Sequence, residues 1–98
     1  MDFKNFKEYR PSTPTFGENA LYLKDEEDND WYDIQSLLTK NYVFAYESET
    51  GIVRCISESA SKMYPVNFSV SETDEVPEGF SIAGNWKYEN GEIIKIDL

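Results

Sequence analysis

The sequence predicts an α+β, mainly β domain: a small antiparallel sheet of about five strands with one or two short helices. Three observations carry this reading. Residues 42–57 place two runs rich in β-branched and aromatic residues around a polar segment ending in Gly51, the pattern of a hairpin. Residues 85–96 repeat the pattern around Asn90-Gly91, a strong local hairpin signal. Trp31, Ile34, Leu37 and Leu38 recur at helical spacing behind Asp30, a residue type that caps helix starts.

Residues 1–19 hold Pro11 and Pro14 among Phe3, Phe6, Tyr9 and Phe16 with no period of 2 or 3.6. They read as an irregular arm running along the surface, pinned by its aromatics, ahead of a single β-rich domain over residues 20–98. Residues 20–24 form a short strand, and the acidic run 25–30 a solvated turn. That run fails as a calcium loop, which needs glycine at its sixth position and glutamate at its twelfth. Counting from Asp25, those places hold Asp30 and Ser36.

In the hairpin at 42–57, alternation sends Tyr42, Phe44 and Tyr46 to one face and Val43 and Ala45 to the other. With neither face polar, the hairpin belongs in the middle of a sheet. Cys55, the only cysteine, reads as a buried, inert thiol and excludes an intrachain disulfide. Residues 57–64 suggest a short helix ended by Pro65, carrying Ile56, Ala60, Met63 and Tyr64 on one side. Residues 67–71 alternate as a half-buried strand, and residues 73–79 form an acidic loop. For the last hairpin we expect a three-residue loop with Gly91 in a bulge and Trp86 opposite Ile94. A two-residue turn would set Glu89 against Glu92, two like charges.

At 98 residues, 40% hydrophobic and 15% aromatic, the chain makes one modest core. Oligomerisation, including self-association, or partner binding would add buried surface. Nineteen acidic against nine basic residues give a net charge of −10, which repels nucleic acid and anionic membranes. No apolar segment resembles a signal peptide or a membrane span, so a cytoplasmic protein is expected.

The chemistry of common enzymes is missing. There is no histidine, and one cysteine cannot build a zinc cluster. The pattern Ser59-Ala60-Ser61-Lys62 matches Ser-x-x-Lys but lacks that motif's companions. The reading is therefore no enzyme, no cofactor and no metal. What remains is aromatic: Trp31, Tyr32, Tyr42, Tyr46, Tyr64, Trp86 and Tyr88 carry both apolar area and a polar handle, the makings of an interface.

Taken in order, several segments resemble the N-terminal part of the tail-fibre assembly proteins, or tail-fibre chaperones, of tailed bacteriophages and prophages. They are Asp30-Trp31-Tyr32 after an acidic turn, Ala45-Tyr46-Glu47-Ser48-Glu49-Thr50-Gly51-Ile52-Val53 and Ile56-Ser57-Glu58-Ser59-Ala60-Ser61. Phe68-Ser69-Val70, Val76-Pro77 and Asn85-Trp86-Lys87-Tyr88-Glu89-Asn90-Gly91-Glu92-Ile93-Ile94 follow. The resemblance spans residues 20–96. It implies a protein without catalysis or cofactor that binds the distal part of a trimeric phage tail-fibre protein and helps it fold and trimerise. It also implies the cytoplasm of the bacterial host, with some members retained at the fibre tip. On that basis Tyr42, Phe44 and Tyr46 are the first place to look, and the partner-binding candidates are Trp31, Tyr32, Tyr42, Phe44, Tyr46, Trp86 and Tyr88. Two other readings stay open. One is an acidic decoy occupying a nucleic-acid-binding site of a host enzyme, which needs its carboxylates in one stripe. The other is direct binding of host surface glycans.

Overall fold

The computed structural model describes residues 2–12, 17 and 20–96. In chain order these form β1 (Lys7–Glu8), β2 (Leu23–Lys24), α1 (Trp31–Ile34), β3 (Tyr42–Tyr46), β4 (Val53–Ser57), β5 (Ser69–Thr73), β6 (Trp86–Glu89) and β7 (Glu92–Lys95). Two 3-10 turns, Gln35–Leu37 and Ala60–Lys62, complete the set. The fold is α+β and mainly β, as the sequence predicts. Its strands are divided among three small antiparallel sheets, β1-β2, β4-β3-β5 and β6-β7, rather than gathered in one.

β3 is the centre. It pairs with β4 through Val43↔Ser57 to Tyr46↔Val53 and with β5 through Tyr42↔Thr73 to Tyr46↔Ser69. Alternation then splits its side chains between two cores. Val43 and Ala45 join Phe3, Phe6, Leu23, Trp31, Ile34, Leu38, Ala60, Met63 and Val70 on one side. Phe44 and Tyr46 meet Val53 on the other, backed by Ile56, Phe80, Tyr88 and Ile93. Residues 43–46 are all buried, which is why neither face of this strand is polar.

β5 departs from expectation. Its alternation predicts a half-buried strand, yet Ser69 and Ser71 are as buried as Val70. Buried hydroxyls need partners, and these serines have them. Ser69 Oγ accepts from the Asn5 backbone N–H at 3.0 Å and lies 2.7 Å from Ser48 Oγ. Ser71 donates to Asp2 Oδ1.

Part of the N-terminal arm supplies this cover. Phe3 and Val70 exchange backbone hydrogen bonds at 2.9 and 2.7 Å, and Phe6 does the same with Phe68 and Asn67 at 3.0 and 2.8 Å. Asn5, at φ 60°, absorbs the kink between them. The arm thereby protects the outer edge of β5, and Phe3 and Phe6 enter the core instead of lying on the surface. Pro14 and Phe16 fall outside the described residues.

The helix starts where its cap predicts. Asp30 Oδ1 accepts from the Tyr32 N–H at 2.8 Å, and Trp31 and Ile34 turn inward. After Ile34 the chain tightens into a 3-10 turn of about three residues per turn. The slip in period leaves Leu38 buried and Leu37, expected on the same face, 49% exposed. Asp30 Oδ2 also accepts from the Tyr9 hydroxyl, so one carboxylate ties arm to helix. We expect Asp30→Ala to lower folding stability by about 1–2 kcal/mol in urea titrations, the usual worth of a cap, with Asp30→Asn retaining most of it.

Three local readings are corrected. Residues 57–64 make only the turn Ala60–Lys62. The Ser57 hydroxyl accepts from the Ser59 N–H and donates to the Ser59 carbonyl, a local bonding pattern that competes with a helix. The last hairpin takes the two-residue turn, with Glu89 opposite Glu92 and Tyr88 opposite Ile93. Asn90 and Gly91 both sit at positive φ, 52° and 83°, as a type I′ turn requires. The like charges lie in water, where screening is strong, and Lys87 Nζ reaches Glu89 at 3.2 Å. Cys55, finally, is exposed. It lies on the edge strand β4, where the register shifts between Ala45 and Tyr46, and among the described residues no strand pairs along its outer side.

The second hairpin is fastened at the turn of the first. Tyr88 N–H donates to the Gly51 carbonyl at 2.8 Å, and Ile52 forms a bridge with Lys87. Gly51 stands at φ 80°, with the Tyr88 carbonyl oxygen 2.6 Å from where a Cβ would be. Docking there requires glycine for both conformation and space.

Candidate partner-binding surface

The seven aromatic candidates separate into distinct environments. Trp31 and Phe44 have no exposed surface, and Tyr46 and Trp86 are 6% and 7% exposed. The Trp31 indole N–H donates to the Met63 carbonyl at 2.9 Å, and its ring meets Phe6 edge-on at 5.3 Å. The Trp86 ring packs on Phe80 at 5.7 Å, while its buried N–H finds no acceptor among the described residues. These four are core residues. Tyr32, Tyr42 and Tyr88 are half-buried and keep accessible area.

The structure brings Phe44, Tyr46 and Tyr88 together. Tyr88 lies 5.1 Å from Phe44 and 5.0 Å from Tyr46, ring centre to ring centre. The β6-β7 hairpin thus covers the aromatic face of β3. Asp2 pins it there: its Oδ1 accepts from the Tyr88 hydroxyl at 2.9 Å and from Ser71. Beside this cluster opens a notch of about 360 Å³ lined by Phe44, Val76, Pro77, Ile93, Glu75 and Glu92.

Tyr32 belongs elsewhere. Its ring lies 5.7 Å from Tyr22, Tyr22 lies 6.4 Å from Tyr9, and the Tyr32 and Tyr64 hydroxyls are 3.5 Å apart. This second aromatic group brings in Tyr9 and Tyr22, neither of which the sequence singles out as interface material, and Tyr64, which belongs to the wider set of aromatics with a polar handle but not to the seven partner-binding candidates. Tyr9 stands in a segment read as an irregular arm, and only the β1-β2 pairing carries it to Tyr22. The single hint in the sequence is the density of tyrosine itself.

Burial and neighbouring acids shift these phenols in one direction. Burial first, then the charge of Asp2, pushes Tyr46 from 10.0 up to about 12. Tyr9 is pushed to about 12 chiefly by its hydrogen bond to Asp30, and Tyr32 to about 12 chiefly by its bond to Tyr64. Burial likewise raises Tyr88. A phenol whose value is raised on folding keeps its proton longer in the folded state. Its stabilising contribution is complete below pH 10 and disappears as pH climbs through 12. Urea midpoints are therefore expected to hold up to about pH 10 and then fall towards pH 12, less steeply in Tyr46→Phe.

Among the described residues no three carboxylate or thiol side chains converge to hold a metal ion, and no helix is long and apolar enough to cross a membrane. Several acids are engaged in the fold. Asp25 is buried and accepts from the Glu27 and Asn29 N–H groups at 3.0 and 2.8 Å. Glu72 is buried and accepts from Thr39 and Lys40 at 3.0 and 2.9 Å. Glu47 pairs with Arg54 at 2.5 Å, and that pairing holds its carboxyl below the usual range.

No family model matches the chain. Over 102 aligned positions it is 24% identical to Tail fiber assembly protein U of Escherichia phage Mu, and the alignment takes in 97% of this chain and 58% of that protein. The chain thus spans little more than half the length of the relative. Along nearly all of its own length, it is similar to a protein named for tail-fibre assembly.

Proposed function

We propose that this protein is a non-enzymatic tail-fibre assembly factor that binds the distal part of a phage tail-fibre protein and assists its folding and trimerisation. The observation that carries the reading is the similarity to Tail fiber assembly protein U across 97% of this chain. The physics is compatible with it. A fibre subunit awaiting its partners exposes strand edges and apolar patches, and a helper must cover them until trimerisation hides them. Tyr32, Tyr42 and Tyr88 keep accessible area, and Tyr88 rests on Phe44 and Tyr46, so these are groups suited to that contact. The assembly work would take place in the bacterial cytoplasm, with neither nucleic acid nor membrane as partner. With Asp25 and Glu72 buried and Glu47 paired, part of the carboxylate set serves the fold, which favours this reading over the decoy.

Co-expression with the fibre gene of the same phage or prophage tests it. Soluble fibre trimers are expected only, or in much higher yield, when the two are made together, and the proteins are expected to co-purify. Equal trimer yield without it, together with no co-purification, would sink the proposal.

A further inference from the structure

Tyr9, Tyr22, Tyr32 and Tyr64 come from four separate stretches of chain: β1's continuation, the approach to β2, the first turn of α1 and the segment after Ala60–Lys62. They stand in one row, each within ring or hydroxyl contact of the next. Their accessibility is graded. Tyr22 is buried at 6% and is the floor, Tyr9 and Tyr32 are half-exposed, and Tyr64 is 53% exposed. Tyrosine supplies a large contact area at small entropic cost and is enriched where protein interfaces concentrate their energy.

Two acids lie beside the row. Asp30 lies at the Tyr9 hydroxyl and at the start of α1, and exposed Asp33 follows one residue after Tyr32. The field of Asp30 opposes ionisation of both Tyr9 and Tyr32, and that of Asp33 opposes ionisation of Tyr9. The row also already accepts a cation. Lys24 Nζ sits 5.1 Å over the Tyr9 ring, its own charge matched by Asp28 at 3.1 Å. An aromatic row with acidic flanks in a chain of net charge −10 is complementary to an extended segment carrying Lys or Arg beside apolar residues.

We infer that the Tyr9-Tyr22-Tyr32-Tyr64 row, flanked by Asp30 and Asp33, docks a Lys- or Arg-bearing segment of the fibre protein. This rests on the assembly reading above and adds to it the surface and the chemistry of the segment taken. The accessible faces of Tyr32 and Tyr64 receive the cationic side chains and their apolar neighbours, Tyr22 supports them from below, the acids set the orientation, and the Phe44-Ile93 notch is not the primary contact.

The test measures affinity of purified full-length protein for the co-expressed, purified fibre protein at low and high salt. Tyr64→Ala, at an exposed position, is expected to weaken binding about tenfold, as loss of an interface anchor does. Asp33→Asn, also exposed, is expected to weaken it severalfold at low salt and to have little effect at high salt, where charge is screened. Tyr32→Phe keeps the ring and is expected to bind within a factor of about two of the wild type, which separates contact through the ring from contact through the hydroxyl. Val76→Ala and Pro77→Ala in the notch, which leave the charge unaltered, are expected to leave affinity unchanged. Wild-type affinity in Tyr64→Ala and Asp33→Asn, or a loss confined to the notch variants, overturns this inference while leaving the assembly role standing. Failure of the wild-type protein to bind the fibre at all overturns both.

Discussion

Trp31→Ala is expected to cost about 3–5 kcal/mol of folding stability, the usual cost of emptying a large aromatic site from a core. Trp31 has no exposed surface, meets Phe6 edge-on and donates its indole N–H to the Met63 carbonyl, so one side chain joins the arm, the helix and the segment after the Ala60–Lys62 turn. A domain of this size has about 5–15 kcal/mol in total. The variant should therefore unfold at a much lower urea midpoint and have a sizeable unfolded fraction at 37 °C if the wild type lies at the lower end. Trp86 provides the comparison. Its buried N–H finds no acceptor among the described residues, so Trp86→Phe removes an unpaired donor, whereas Trp31→Phe breaks a bond and strands a carbonyl. Denaturation curves should place Trp31→Phe about 1–2 kcal/mol below Trp86→Phe. Equal losses would mean that the Met63 bond contributes nothing.

The second large effect is expected at Gly51. A side chain here meets two obstacles. Its φ of 80° disfavours any L-residue by about 1–2 kcal/mol, and its Cβ would stand 2.6 Å from the Tyr88 carbonyl oxygen, a backbone atom that cannot rotate away. Gly91 shares the first obstacle, at φ 83°, but has nothing within 4 Å of its Cβ position. Gly91→Ala should lose only the conformational part. Gly51→Ala should lose that and push the β6-β7 hairpin off the Phe44-Tyr46 face. Hydrogen exchange reads the difference, because the Tyr88 amide, bonded to the Gly51 carbonyl at 2.8 Å, should lose protection in Gly51→Ala and keep it in Gly91→Ala. Identical behaviour of the two variants would show that the hairpin does not depend on this contact.

Much of the secondary structure is legible because its causes are local. The Asp30 cap, the alternation along residues 42–46 and the Asn90-Gly91 turn each depend on a few neighbouring residues, and each appears where its pattern points. In the last hairpin the turn's own conformational demand outweighs an exposed Glu89-Glu92 pair, so charge is a poor guide to its register. Over residues 57–64 a serine-rich segment is equally compatible with a capped helix and a self-bonded turn, so its length is not legible locally. The aromatic surface was only half legible. Tyr42, Phe44 and Tyr46 were candidates because alternation sets them on one face, but alternation says nothing about what covers that face. The β6-β7 hairpin and Asp2 cover it, contributed by the two ends of the chain.

By itself the sequence determined the class, the central two-faced strand, the capped helix start and the two hairpins. These follow from composition and from periodicities that act over a few residues. Only the tertiary structure decided which aromatics are core and which are accessible. It also decided that the arm closes the β5 edge, and that Tyr9, Tyr22, Tyr32 and Tyr64 meet in a row. Each of these outcomes joins segments far apart in the chain, such as Asp2 with Tyr88 or Phe3 with Val70. Contacts of that range depend on how finished elements pack against one another, and no local pattern encodes them.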